Sequence, residues 1–116
     1  MDTQIIIEIS QYTLAGTISF PDVVKSLLAA GVESYHVDYV QRRKTFYSGA
    51  SDVAVAPIDF EGLPSVAEDF DVLGLKANIL DSQKNGQKFR DFTIRAMSNG
   101  VQGYYAFLRG QRVTYF

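Results

Sequence analysis

The 116-residue chain has no cysteine and no tryptophan, a single histidine and only three prolines. Without cysteine there is no disulfide framework, no thiolate zinc site and no cysteine nucleophile. With His36 as the lone imidazole, a metal centre would rest almost wholly on carboxylates, and none is expected. Long apolar runs are also missing. Nothing approaches the ~20 residues that span a bilayer, and Met1-Asp2-Thr3-Gln4 lacks the basic start of a signal peptide. The cytosol is therefore the expected compartment. Neither sign of charge dominates, since 11 basic side chains face 13 acidic ones for a formal net charge of −2. No global field draws such a chain to nucleic acid or to an anionic membrane, so neither is an expected partner.

What is present is an ordinary globular composition, 47% hydrophobic and 21% charged, which argues against disorder. The length suits one domain, 1–116, with a core that needs no disulfide or metal.

The most informative feature is self-similarity. At an offset of 69 positions, the distance from Phe20 to Phe89, two segments align without a gap: FPDVVKSLLAAGVESYHVDYVQRRKTFY (20–47) and FRDFTIRAMSNGVQGYYAFLRGQRVTYF (89–116). Identical pairs include Asp22/Asp91, Gly31/Gly100, Val32/Val101, Tyr35/Tyr104, Arg43/Arg112 and Thr45/Thr114. Each copy reads as a helix, a Gly-Val stop and an aromatic hairpin. In the first, Ser19 can cap a helix whose apolar residues Val23, Val24, Leu27 and Leu28 recur at helical spacing. Gly31 ends it in a left-handed turn, and Val32 folds back onto its last turn. The second copy repeats this with Phe89, Phe92, Ala96 and Met97 before Gly100-Val101. The hairpin turns are expected at Gln41–Lys44 and Arg109–Arg112.

Between the copies lies an acidic connection and a helix (48–86). Val53–Val55 reads as a short strand, Pro57–Asp71 carries five carboxylates and no basic residue, and Val72–Lys84 is helical up to Asn85-Gly86. The opening isoleucines fit strand or helix, and Gly16 as a stop favours helix. The expected fold is α+β: an antiparallel sheet with three to four helices, built from two helix–Gly-Val–hairpin repeats.

The segments SFPDVVKSLLAAGVESYHVDYVQRRKTFY and SQKNGQKFRDFTIRAMSNGVQGYYAFLRGQRVTYF resemble a bacterial family of unknown function labelled "phage envelope protein", with members in enterobacterial prophages. The resemblance covers nearly the whole chain and rests on the doubled Gly-Val-x-x-Tyr element. It implies a small α+β fold and no established activity. Members of that family run on through another strand where this chain stops at Phe116, a departure that predicts an open sheet edge.

Three constellations carry possible chemistry. His36 and Asp38, two apart on a strand, would share a face, where the carboxylate could orient the ring as a general base. The second copy, however, has Tyr105 and Phe107 there, as packing positions would. Tyrosines concentrate on the strands, with Tyr35 and Tyr104 at equivalent places, and suit either a core or a hydroxyl-lined pocket. The basic turns Arg42, Arg43 and Lys44 and, in the other copy, Arg109 and Arg112 could form a two-pronged surface for a phosphate or an acidic partner. No phosphate loop, Rossmann fingerprint or nucleophile elbow is present, and no cofactor is expected. Two readings follow. One is a non-catalytic binding or regulatory module for a protein or small-molecule partner. The other is a small enzyme or ligand-binding protein with a pocket around His36, Asp38 and the strand tyrosines. Pairing of the aromatic sheet with a second copy, as a homodimer burying upwards of ~1,200 Å², is a further possibility.

Overall fold

The computed structural model describes residues 1–116 as four helices and five strands. Helix α1 (Thr3–Ala15) starts at Asp2, whose carboxylate accepts the Ile5 amide, and ends at Gly16 with φ 72°. The ambiguous isoleucines are thus helical, with Ile6 and Ile9 buried. Helix α2 (Phe20–Ala29) is capped by Ser19, whose hydroxyl accepts the Asp22 amide. Gly31, at φ 90°, and Val32 return amides to Leu28 and Leu27, the paired bonds of a Schellman ending. Strands β1 (Ser34–Asp38), β2 (Arg43–Tyr47) and β3 (Val53–Pro57) follow. Helices α3 (Val72–Asn85) and α4 (Phe89–Ser98) then lead to β4 (Gly103–Phe107) and β5 (Arg112–Tyr115). Helix α4 ends as α2 does, with Gly100 and Val101 bonded to Met97 and Ala96. No helix is long and apolar enough to cross a membrane.

The strands form one antiparallel sheet in the order β3-β2-β1-β4-β5, so β1 and β4 meet at its centre and β5 is an edge. In that central pair His36 faces Tyr105, its counterpart at the offset of 69 seen in the sequence. The hydrogen bonds around it are reciprocal: Tyr39 donates to Gln102, and Leu108, its counterpart, donates to Glu33. The correspondence also extends beyond the two aligned segments. Asp2 and Asp71 both cap a helix, and their amides donate to Ala30 and Asn99 at the ends of α2 and α4. Residues 2–47 and 71–116 thus follow the same helix–helix–hairpin path, related by a local two-fold axis through the β1–β4 pair.

Alternation sorts the sheet residues onto two faces. Tyr35, Val37, Phe46, Ala54, Ala56, Tyr104 and Ala106 join Ile6, Leu27, Leu75, Ala96 and Met97 in one core beneath the helices. His36, Thr45, Val55, Tyr105 and Thr114 form a row on the opposite, helix-free face. Val53, Val55 and Phe116 are more than two-fifths exposed there.

The turns fall earlier than the sequence suggests. Chain reversal occurs at Tyr39–Arg42 and Leu108–Gln111. In the first, Asp38 Oδ1 accepts the amides of Val40 and Gln41 at 3.0 and 2.9 Å. Arg42 and Gln111, equivalent in the two halves, both take positive φ. Arg43, Lys44 and Arg112 therefore belong to strands.

Candidate functional site

A cavity of about 850 Å³ lies between the helices and the covered face of the sheet. It straddles the local two-fold axis, since its walls come in counterpart pairs: Phe20 and Phe89, Val23 and Phe92, Tyr35 and Tyr104, Phe46 and Tyr115, Thr13 and Ser82. Helices α1 and α2 supply one side, α3 and α4 the other. The sheet contributes the floor because every second residue of β1, β2, β4 and β5 points inward.

Within this cavity several counterpart pairs are unequal, among them Ser10 and Ile79, Ile18 and Gln87, and Ser19 and Lys88. Lys44 of β2 corresponds to Val113 of β5. Lys44 is 5% exposed, and its Nζ lies 4.0 Å from the centroid of the Phe89 ring, a cation–π approach. The only ion pairs in the molecule join Arg95 to Asp81 and Arg109 to Glu33, so Lys44 has no carboxylate partner. Burial disfavours its charged form and lowers its pKa from 10.5 to about 7.

The core also holds a cluster of phenols. Tyr104 lies 6.3 Å from Tyr35, 6.1 Å from Tyr39 and 5.3 Å from Tyr115, ring centroid to ring centroid. Burial pushes Tyr35, Tyr39, Tyr104 and Tyr115 above the usual tyrosine range. They stay protonated at neutral pH, and the Tyr39 hydroxyl is buried without a hydrogen-bond partner. Ser10, 4% exposed, lines the cavity with a hydroxyl that has no hydrogen-bond partner. A further buried polar set holds the α3–α4 wall: Asn78 Nδ2 donates to the Phe92 carbonyl, and Asn78 Oδ1 accepts from Gln87 Nε2 at 2.9 Å.

The sequence-level candidates separate into three places. Tyr35 and Tyr104 both line the cavity. His36 and Asp38 do not join them, because adjacent strand positions face opposite sides. On the open face His36 stacks on Tyr105, with centroids 4.4 Å apart and planes 12° from parallel, and its Nε2 is buried without a partner. The Asp38 carboxylate is spent on its own turn, so the expected His36–Asp38 pair does not form.

The two-pronged basic surface does not assemble either. Antiparallel pairing of β1 with β4 sends the two hairpin tips to opposite ends of the sheet. Arg42 is at its tip, Arg43 is an exposed strand residue, Arg109 is paired with Glu33 at 2.9 Å, and Arg112 stacks over the Phe107 ring. Lys44, expected in the turn, is inside. Its orientation had a signal in the sequence. Lys44 and Phe46 alternate with Arg43, Thr45 and Tyr47, and the counterparts of the first two are Val113 and Tyr115. No group of three or more His, Asp or Glu side chains is arranged to hold a metal ion. Comparison with family models, with curated proteins and with solved structures finds no match.

Proposed function

We propose that this chain is a non-catalytic binding module that holds one small amphipathic molecule between its helices and its sheet. In keeping with the resemblance in its sequence, we assign it to the cytosol of a bacterial cell and to the genes carried by prophages. The observation that carries the reading is the ammonium of Lys44, buried and unpaired in the wall of an 850 Å³ cavity. Cavities of roughly 300–1,000 Å³ with aromatic walls and a few polar groups suit small-molecule ligands. A buried charge without a partner costs several kcal/mol, a cost that natural cores rarely retain without a use. Support for binding rather than turnover comes from the separation of His36 from Asp38 and of both from the cavity. The one imidazole and its neighbouring carboxylate therefore offer the bound molecule no general base.

The test is titration with a neutral apolar dye such as aminoanthracene. Saturable uptake of one dye per chain is expected, weakened by Thr13→Phe, which pushes a ring into the cavity, and unchanged by His36→Ala on the open face. Circular dichroism establishes that both variants fold. Uptake that does not saturate, or that ignores Thr13→Phe while following His36→Ala, overturns the reading.

A further inference from the structure

We infer that the molecule taken up by the cavity is an apolar carboxylate, its charged end at Lys44 and its body against the aromatic walls; this rests on the cavity-binding reading above. The argument begins with what the walls leave out. The chain has 13 acidic side chains, yet none lines the cavity, whereas two lysines, Lys44 and Lys88, do. Arginine is absent from the walls as well. A dianionic phosphate is commonly gripped by the guanidinium fork, with two parallel N–H donors. Of the two lysines only Lys44 is buried, and its one ammonium is instead matched to one negative charge.

Lys44 arrives without a counter-ion and with Phe89 against its Nζ. A carboxylate placed there would replace an uncompensated buried charge with a charge-assisted hydrogen bond. Tyr35 and Tyr104 supply neutral donors on the cavity floor, and the unpartnered Ser10 hydroxyl supplies another. Phe20, Phe46, Phe89 and Phe92, among the hydrophobic residues that make up half of the lining, offer an apolar body extensive contact. The volume is far larger than an acetate or phosphate ion needs, so the charge must be one end of a larger molecule.

The titratable groups facing the cavity are Lys44, Lys88, Tyr35, Tyr104 and Tyr115. Burial raises the tyrosines above the usual range and lowers the pKa of Lys44 to about 7. An anionic ligand favours the protonated lysine, so its affinity should fall as pH rises past neutrality. A neutral ligand should show the opposite or no trend.

The test uses a matched pair, phenylbutanoate and phenylbutanamide, each displacing the neutral dye at pH 6 and at pH 9 from the full chain. The acid is expected to bind about tenfold more tightly than the amide at pH 6, the size of one hydrogen bond to a charged group. That preference should shrink at pH 9 and vanish in Lys44→Met, with Lys44→Gln as a second variant that keeps a polar end. If acid and amide displace the dye equally in the native chain and in both variants, the carboxylate inference falls while cavity binding stands. If the dye itself does not bind, both fall together.

Discussion

His36 stacks on Tyr105, the residue that holds its own place in the other half of the chain. The two rings therefore mark where the local two-fold axis crosses the open face, while the cavity marks where it crosses the covered one. The contact between the halves resembles an isologous interface, in which each bond is answered by its counterpart. Tyr39 to Gln102 and Leu108 to Glu33 are one such pair.

The first prediction concerns Lys44 and pH. Its folded pKa, about 7, lies below the unfolded value of 10.5, so between these values the unfolded chain binds more protons. Stability must then rise with pH from about 7 towards 10. The full shift corresponds to an upper bound of about 5 kcal/mol. Above pH 10 the tyrosines act in the opposite sense. Their folded pKa values are raised, so they ionise first in the unfolded chain and stability falls. Urea unfolding across this range should show a maximum on the alkaline side of neutrality. Lys44→Met should remove the rising limb and be more stable than the native chain at pH 6. A flat native profile would mean that Lys44 keeps its charge in the fold.

Gly31 and Gly100 end equivalent helices, yet they should not respond alike to substitution. Both have positive φ, which costs a side chain on the order of 1 kcal/mol. At Gly31 a Cβ would meet only Met1, at 3.4 Å, whereas at Gly100 it would run into the Asp69 carbonyl. That segment is tied down by Ala67 and Asp71, whose amides donate to Met97 and Asn99. Gly100→Ala should therefore lose at least about 2 kcal/mol more than Gly31→Ala in thermal or urea unfolding. Equal losses would show that the acidic connection yields.

Asp38 is a turn residue. Asp38→Ala removes the acceptor for two amides and should cost about 1 kcal/mol, much of it kept by Asp38→Asn. Cross-peaks between the His36 and Tyr105 rings should survive in both variants. Their loss would show that Asp38 positions the imidazole after all.

Asn78 is fully buried and joins the Phe92 carbonyl to Gln87. Replacing it with leucine removes its side-chain bonds to the Phe92 carbonyl and to Gln87, which keeps Ser82 Oγ and the Asn78 carbonyl as acceptors, and should cost roughly 1–3 kcal/mol. Asn78→Leu paired with Gln87→Leu should cost less than the sum of the two single changes, as a double-mutant cycle would show.

Much of the fold was legible because it is written in local punctuation. Ser19, Gly31-Val32 and Gly100-Val101 act within one or two turns of the chain, and the structure uses them as read. The site was legible only in part. Tyr35 and Tyr104 were found, but they were grouped with His36 and Asp38, which lie across the sheet from them. Lys44 was read as a turn residue because Gln41-Arg42-Arg43-Lys44 is uniformly polar. Both turns nevertheless close at equivalent places, Tyr39–Arg42 and Leu108–Gln111, although only the first has a carboxylate, that of Asp38, to accept its amides. The buried polar residues Asn78 and Thr93 were also missed, since only tertiary contact makes them interior.

A chamber with two-fold walls offers a guest two equivalent poses, one the half-turn of the other. Lys44 has Val113 as its counterpart, so the buried ammonium lies to one side of the axis and would give a bound guest a head and a tail. Val113→Lys, which restores the matching charge, would let an acidic guest seat either way round, and its bound signals in an NMR spectrum would double.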